Sequence, residues 1–268
     1  MGLLEAIILG IIQGLSEFLP ISSSGHLEIA NALIGEVGDT SNLAFVVAVH
    51  GATVLSTIVV FWRDIVDIFK DLLRFEMNEG TRFAINIAVS MIPVLVVGMF
   101  FKEQVEGLFG GSVGFVGCML VFTSVLLALS YYLPKKEGEI TPLKAIIIGI
   151  MQAVAVIPGV SRSGATISTG LILGVDPKKM ARFSFLMVLV PILGANFMDI
   201  VSSYTSEPDV AGTSVSAMPI IVGAIAAFIT GVVACRYMVN IVRKGKLIWF
   251  AVYCFVAGVA AIIYSSLI

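Results

Sequence analysis

Residues 10–26 of the chain read GIIQGLSEFLPISSSGH, and residues 149–165 read GIMQAVAVIPGVSRSGA. In each stretch an apolar segment is broken by a short run of proline, serine and glycine. Gly-Ile-x-Gln at the start and Ser-x-Ser-Gly near the end align at a constant offset of 139 residues without gaps. This alignment predicts an internal repeat within one membrane domain, with repeat one at about 1–133 and repeat two at about 142–268.

The composition of the chain is that of a membrane protein. Of its 268 residues, 58% are hydrophobic and only 13% are charged, whereas soluble domains carry about 25% charged residues. This excludes a soluble globular enzyme, a nucleic-acid-binding protein and a disordered chain. The formal net charge of −2 gives no reason to expect a polyanionic partner. The sequence therefore predicts an all-α polytopic protein whose surroundings are a lipid bilayer.

Six charge-free stretches are long enough to be spanning helices, for which roughly 20 apolar residues are needed. They are Phe45 to Trp62, Phe83 to Phe101, Val113 to Leu133, Phe183 to Met198, Ala217 to Cys235 and Leu247 to Ile268. The fourth is short, and it reaches the required length by extending towards Tyr204.

Two further apolar regions, Leu3 to Leu33 and Leu143 to Gly174, are broken by the polar stretches quoted above. Their second limbs, about 26–34 and 164–174, are too short to cross a bilayer. Irregular backbone at membrane depth must be buried in protein or line a cavity, so both regions are predicted to be re-entrant hairpins. Three spans separate them, and an odd number inverts their orientation. The sequence predicts an inverted-topology repeat whose two hairpin tips meet near the midplane.

The positions of the basic residues support this topology. Cytoplasmic loops are enriched in Lys and Arg, and 14 of the 16 basic residues fall in 63–82, 134–144, 175–182 and 236–246. These segments are predicted to be cytoplasmic, with both termini outside. Of the other two basic residues, Lys102 falls in an outer segment and Arg162 in the second hairpin.

Glu17 and Arg162 are charged residues inside apolar hairpins, where an Arg or Asp near a helix centre costs about 2.5–3.5 kcal/mol. One interpretation is a structural ion pair that joins the hairpins. The other is a functional site, because Gln13 lies four residues before Glu17 and projects from the same helix face. A purely structural membrane protein would tolerate Arg162→Leu.

Each polar break has the composition of an anion-binding site. Serine is a preferred N-cap, the first N–H groups of a helix lack helical partners, and anions bind there. The second break adds the guanidinium of Arg162, which suits phosphate oxygens. The alternative is close helix packing by small residues.

His26 ends the first break, three residues after Ser23. It is a candidate base for a serine nucleophile, a candidate nucleophile on phosphorus, or a candidate acid for the leaving oxygen. His50, beside Gly51 and Thr53, is assigned a packing or supporting role.

Gln13 and Glu17 match a family pattern of Glu or Gln, three residues and Glu, which Phe18 through His26 continue. Residues 158–166 match Pro-Gly-x-Ser-Arg-Ser-Gly-Ala-Thr, and Arg-Phe-Ser-Phe follows at 182–185. The chain resembles, over essentially its whole length, the undecaprenyl-diphosphate phosphatase family, also called bacitracin-resistance proteins.

The resemblance implies hydrolysis of a polyprenyl diphosphate, undecaprenyl diphosphate, to the monophosphate and inorganic phosphate, which recycles the lipid carrier of cell-wall peptidoglycan synthesis. It also implies a multi-pass protein of the bacterial cytoplasmic (inner) membrane, an outward-facing site, and dependence on Mg²⁺ or Ca²⁺. Whether the protein is a homodimer stays open. The implied catalytic residues are Glu17, Ser23, His26 and Arg162, with Glu17 also a metal ligand. The implied substrate-binding residues are Gln13, Ser22, Ser24, Gly25, Gly159, Ser161, Ser163, Gly164 and Thr166.

Two rival functions follow from the same residues. A second lipid phosphatase superfamily needs a histidine after its Ser-Arg motif, and none follows Arg162. A polyprenyl-phosphate flippase or secondary transporter would use the same inverted hairpins, but it would need no nucleophile.

Overall fold

The computed structural model describes residues 2–34, 43–108, 112–133, 136–194 and 217–267. Residues 189–194 are helical, and twelve further helices have defined bounds. These are α1 (Leu3–Phe18), α2 (Ser23–Ile34), α3 (Leu43–Val60), α4 (Trp62–Leu72), α5 (Glu79–Phe100), α6 (Lys102–Glu106), α7 (Val113–Tyr132), α8 (Pro142–Val154), α9 (Arg162–Ile172), α10 (Pro177–Met187), α11 (Ala217–Lys244) and α12 (Ile248–Leu267).

Several helices begin where the local sequence supplies a capping side chain. The Asn78 side chain accepts a hydrogen bond from the Thr81 N–H at the start of α5. Thr141 caps α8 and Asp176 caps α10, and each is followed by a proline in the first helical turn. The oxygen of a capping side chain accepts a backbone N–H that has no partner within the helix. Proline suits the first turn because it has no N–H that would need such a partner. Helices α5, α8 and α10 therefore start at positions fixed by short-range chemistry.

The prediction of a multi-pass membrane protein is confirmed by four helices that are long and apolar enough to span, namely α5, α7, α11 and α12. A fifth candidate is the pair Ala44–Val60 and Trp62–Leu72, which is bent by 73°. The predicted segment Phe183 to Met198 is helical to residue 194, apart from a turn at Val188, and its remainder lies outside the described residues. The part of the structure that is described thus supports four to five of the six predicted spans.

Both broken regions form two helices joined by a turn, as predicted. In the first, α1 ends at Phe18 and α2 begins at Ser23; in the second, α8 ends at Val154 and α9 begins at Arg162. The second limbs start two or three residues earlier than predicted. The reason is that a serine hydroxyl stands immediately before each one and accepts a backbone N–H from its first turn, so the helix can begin directly after it.

The two first limbs pack against helices of the opposite half of the chain. Helix α1 lies along α11, and helix α8 lies along α5. A Cβ on Gly10 would stand 2.3 Å from the Gly223 carbonyl oxygen, and one on Gly149 would stand 2.3 Å from that of Ser90. Backbones this close require glycine, as is common between membrane helices. Equivalent glycines of the two repeats therefore make equivalent contacts.

The core closes around the ends of the hairpins. Phe18 at the end of α1 and Phe185 in α10 are fully buried, with ring centroids 5.9 Å apart. Leu120, Met238 and Cys254, from α7, α11 and α12, belong to the same cluster. Many large apolar side chains of the spanning helices are instead exposed, as expected for surfaces that face lipid.

Gly117→Ala is expected to lower the free energy of unfolding by about 1–3 kcal/mol, because overpacked interfaces must shift. Helices α7 and α12 cross there, and a Cβ on Gly117 would lie 2.6 Å from the Gly258 carbonyl oxygen. Gly98→Ala is the matched control, since no atom lies within 4 Å of its added Cβ. Thermal unfolding in detergent measures both. Equal midpoints for the two variants would contradict the observed crossing.

Candidate functional site

The turns of the two helix pairs meet inside the protein. Arg162 Nη2 lies 2.7 Å from Glu17 Oε1, and the two side chains are only 15% and 10% exposed. The prediction that the two polar bends come together is therefore confirmed. Both bends also line one polar cavity of about 80 Å³. Its lining residues are Ser16, Glu17, Ser22, Ser23, Ser24, Ala155, Val160, Ser161 and Arg162.

The second carboxylate oxygen of Glu17 accepts two hydrogen bonds from within its own hairpin. Ser23 Oγ donates to Oε2 over 2.9 Å, and Gln13 Nε2 donates to the same oxygen over 3.2 Å. Gln13 thus shares the face of α1 with Glu17, as the four-residue spacing predicts. With Arg162 on the other oxygen, the buried carboxylate is neutralised and hydrogen-bonded, which a charge at this depth requires.

The two bends repeat the same serine geometry. Ser22 Oγ accepts the Gly25 N–H over 3.2 Å, and Ser161 Oγ accepts the Gly164 N–H over 3.1 Å. A second hydroxyl follows two residues later in each bend, at 3.3 Å for Ser24 and 3.4 Å for Ser163. Ser22 and Ser161 are therefore N-terminal caps, as predicted, and both line the cavity that the two bends share.

The three glycines predicted to bind substrate, Gly25, Gly159 and Gly164, lie where the backbone of the bends is closely packed or tightly turned. A Cβ on Gly25 would lie 3.0 Å from the Gly159 Cα, and Gly159 itself has a φ of +93°. A Cβ on Gly164 would lie 3.0 Å from that of Ser161. These residues permit the close approach and the tight turns of the bends. None of the three lines the cavity, and their binding of substrate stays a prediction.

Two other predicted binding residues, Ser163 and Thr166, are not among the residues that line the cavity. Ser163 Oγ donates to the Leu19 carbonyl over 3.3 Å and so joins the second bend to the first. Thr166 Oγ1 shares a hydrogen bond of 2.7 Å with the hydroxyl of Ser184. The Ser184 carbonyl lies 3.5 Å from Arg162 Nη1 and supports the guanidinium. Ser184 lies in the Arg-Phe-Ser-Phe run, which is the signal that marks it in the sequence.

One further residue of the site carries no clear sequence signal. Thr123 of α7 accepts the Ser161 N–H at its hydroxyl over 3.0 Å. It lies in an apolar segment far from the polar motifs along the chain, and nothing in its spacing relates it to Glu17 or Arg162. His50 of α3 has its Nδ1 2.9 Å from the Val46 carbonyl of its own helix, a contact compatible with the packing role assigned to it.

The imidazole of His26 lines a second cavity, not the polar one. This cavity is a largely apolar groove of about 360 Å³. Its lining residues are His26, Ile29, Val113, Tyr253, Ala257, Ala260, Ala261 and Tyr264. His26 Nδ1 lies 2.8 Å from the Ser22 carbonyl oxygen, and Nε2 lies 2.7 Å from Tyr253 Oη. Ser23 thus faces Glu17 and Arg162, whereas His26 faces the groove.

The oxygen atoms beside Glu17 fit the needs of a hard divalent cation. Within the described ranges, no group of three or more His, Cys, Asp or Glu side chains is placed to hold a metal ion. Gln13 Oε1 is buried and has no hydrogen-bond partner among the described residues. Mg²⁺ commonly binds through one or two carboxylates, waters and substrate phosphates. Glu17 and Gln13 can supply the protein's share of such a site.

These features define a multi-pass membrane protein with a buried, charge-paired site between two broken helices. A family model described as "Bacitracin resistance protein BacA" matches residues 6–260, and the chain belongs to this family.

Curated relatives match over nearly their full length. An undecaprenyl-diphosphatase of Bacteroides thetaiotaomicron is 54% identical over 98% of this chain and 99% of its own length. Proteins of the same name from Christiangramia forsetii and Salinibacter ruber are 48% and 38% identical. The former alignment covers 99% of both chains, and the latter covers 95% of this chain and 96% of the relative.

Proposed function

We propose that the chain hydrolyses undecaprenyl diphosphate to undecaprenyl phosphate and inorganic phosphate, and so returns a lipid carrier to cell-wall synthesis. The names and the coverage of its relatives support this activity. The observation that carries the proposal is the cluster of Ser23, Glu17 and Arg162. It places a hydroxyl, a carboxylate and a guanidinium in one small cavity that both bends line.

The proposed architecture is six spans and two re-entrant hairpins in an inverted repeat, within the bacterial cytoplasmic membrane. The matching contacts of α1 with α11 and of α8 with α5 support it, as do the matching serine caps. The basic loops favour a cytoplasmic position for residues 63–82 and 236–246. With that orientation, the first hairpin enters from the outer side.

Arg162 and the two serine-capped helix ends hold the terminal phosphate. Phosphoryl transfer depends mainly on positioning and on neutralising charge at the transferred group. Ser22, Ser24 and Ser161 line the cavity and orient the phosphate oxygens. The prenyl tail lies between helices, open to lipid.

Ser23 is the proposed nucleophile. Its hydroxyl already donates to Glu17 over 2.9 Å, so the carboxylate can take the proton as Oγ bonds to the terminal phosphorus. The bond from that phosphorus to the bridging oxygen breaks, and undecaprenyl phosphate leaves with the bond's electron pair. Water then attacks the phosphoserine, and inorganic phosphate and the Ser23 hydroxyl are formed.

A divalent cation, Mg²⁺ or Ca²⁺, would be held by Glu17 and Gln13 Oε1, and it would neutralise diphosphate charge. His26 supports the bend beside Ser23 rather than attacking phosphorus, because its two ring nitrogens contact Ser22 and Tyr253.

Phosphate release by the purified protein in detergent, with undecaprenyl diphosphate and Mg²⁺ or Ca²⁺, tests the proposed function. The wild type is expected to release phosphate, and chelation by EDTA is expected to stop it. Glu17→Gln is expected to release phosphate at least about 100-fold more slowly than the wild type, because the substitution removes a charge that acts on the reacting group. Glu103→Gln, a change at an exposed carboxylate, is the matched control and should retain full activity.

Failure of the wild type to release phosphate with either cation would overturn the proposed function. A lipid carrier would bind the substrate in this assay and leave the diphosphate intact. No relative named above is a carrier. The hydrogen bond from Ser23 to Glu17 prepares a nucleophile, which hydrolysis requires and transport does not.

A further inference from the structure

The imidazole of His26 is held at both ring nitrogens. The Ser22 carbonyl can only accept, so the proton of the neutral ring is on Nδ1, which donates over 2.8 Å. Nε2 then carries the lone pair and accepts from the Tyr253 hydroxyl over 2.7 Å. The two rings are also stacked, with centroids 5.6 Å apart and planes inclined by 12°. One tautomer of His26 satisfies all these contacts.

The Ser22 peptide is the part of the first bend that needs support. Ser22 has a φ of 68°, in the left-handed region that non-glycine residues seldom adopt. Its carbonyl accepts both the His26 backbone N–H and the His26 side chain. Its hydroxyl caps Gly25, and the next residue is Ser23. Any change at the His26 ring is therefore transmitted directly to the residue before the proposed nucleophile.

Tyr253 reaches this bend from the far end of the chain. It lies on α12, 227 residues from His26, and the residue is 45% exposed. A residue needed only to fill the core would be buried, as its neighbour Cys254 is. The hydroxyl of Tyr253 instead donates to the Nε2 lone pair, and so adds to the stability of the His26 tautomer whose Nδ1–H holds the Ser22 carbonyl.

We propose that Tyr253 is a positioning residue for the reaction: through His26 it fixes the left-handed Ser22 and so places the Ser23 hydroxyl on Glu17. The catalytic effect of Tyr253 rests on the proposed function. Its effect on the His26 tautomer does not depend on that function. Tyr253→Phe keeps the stacked ring and removes only the donor. Tyr253→Leu removes both.

Nitrogen-15 NMR of the full-length protein in detergent, labelled at the histidine rings, reads the tautomer directly. The chain has only two histidines, so His50→Gln assigns the signals. In the wild type, His26 should show a protonated Nδ1 and an unprotonated Nε2 that accepts a hydrogen bond. In Tyr253→Phe, we expect the Nε2 signal to move and a fraction with the proton on Nε2 to appear, while the His50 signals stay in place. Unchanged His26 signals would overturn the proposal.

Kinetics of phosphate release test the positioning role with the same proteins. Tyr253→Phe is expected to lower kcat about tenfold, the size expected for one hydrogen bond, and to change KM by less than about twofold. Tyr253→Leu should lower kcat further, because it removes the stacked ring as well as the hydroxyl. Tyr237→Phe, on an exposed tyrosine of α11, is the matched control and should retain full activity. A changed tautomer with unchanged kcat would overturn the positioning role. A wild type with no phosphate release would instead overturn the proposed function, and the NMR result would still decide the Tyr253–His26 contact.

Discussion

Arg162→Met is expected to lower kcat/KM for undecaprenyl diphosphate hydrolysis by at least about 1,000-fold. Loss of one preorganised charge-stabilising group typically costs about 100- to 1,000-fold in catalysis. Here the same change also leaves Glu17 as a buried carboxylate without its ion-pair partner, which costs about 3–5 kcal/mol where one member of a buried pair is removed. The steady-state rate of phosphate release measures the loss.

Two control variants separate lost chemistry from lost folding. Arg162→Lys keeps the charge but not the planar pair of donors, so it should retain more activity than Arg162→Met. Arg74→Met removes an arginine that is 66% exposed and should have no effect on the rate. If Arg162→Met remained folded and fully active, the ion pair would be merely structural, and the proposed site would be wrong.

Ser23→Ala is expected to abolish turnover, with a loss of at least about 1,000-fold, because removal of a covalent nucleophile leaves only the contributions of binding and electrostatics. Ser24→Ala is the matched change one residue further on. Its hydroxyl contacts Ser22 rather than Glu17, so a loss below about tenfold is expected, consistent with one neutral hydrogen bond.

Trapping the phospho-enzyme identifies the nucleophile directly. Rapid acid quenching of the wild type with substrate labelled at the terminal phosphate should yield an acid-stable phosphoserine, absent in Ser23→Ala. An acid-labile phosphoenzyme that persists in Ser23→Ala and disappears in His26→Gln would contradict the assignment of Ser23. It would show that His26 leaves the groove to attack phosphorus.

The contact between the hairpins could be predicted because an unpaired charge within an apolar segment carries a large energetic cost. A glutamate and an arginine within apolar segments must each find a partner, and the repeat supplied the topology that brings them together. The serine caps could be predicted for the same reason: a helix that starts at membrane depth must satisfy its own N–H groups.

The role of His26 could not be derived from its neighbours in the sequence. Its position three residues after Ser23 is compatible with direct chemistry, and nothing near it identifies the tyrosine 227 residues away that binds its ring. Tyrosines in an apolar helix are common near membrane surfaces, so Tyr253 has no distinguishing signal. The glycines of the motifs were equally ambiguous, because small residues serve both phosphate loops and close backbone contacts.

The positions at which helices end could also not be predicted from hydropathy alone. The predicted span from Ala217 to Cys235 continues as helix to Lys244, because the apolar window marks the depth of lipid and not the end of the hydrogen-bonded backbone. Similarly, the break at Phe61 turns the chain by 73° into α4. That helix carries Asp64, Asp67 and Lys70 among apolar residues, a pattern that suits the membrane surface.

The central claim is that the two hairpin bends share one buried ion pair, and solid-state NMR of the protein in lipid bilayers tests it most directly. With ¹³C on the glutamate carboxyl carbons and ¹⁵N on the arginine guanidinium nitrogens, the Glu17–Arg162 contact of 2.7 Å predicts a strong carbon–nitrogen correlation. It should vanish in Arg162→Lys and persist in Arg74→Lys. A spectrum in which Arg162→Lys removes no such correlation would place the two bends apart and contradict the account.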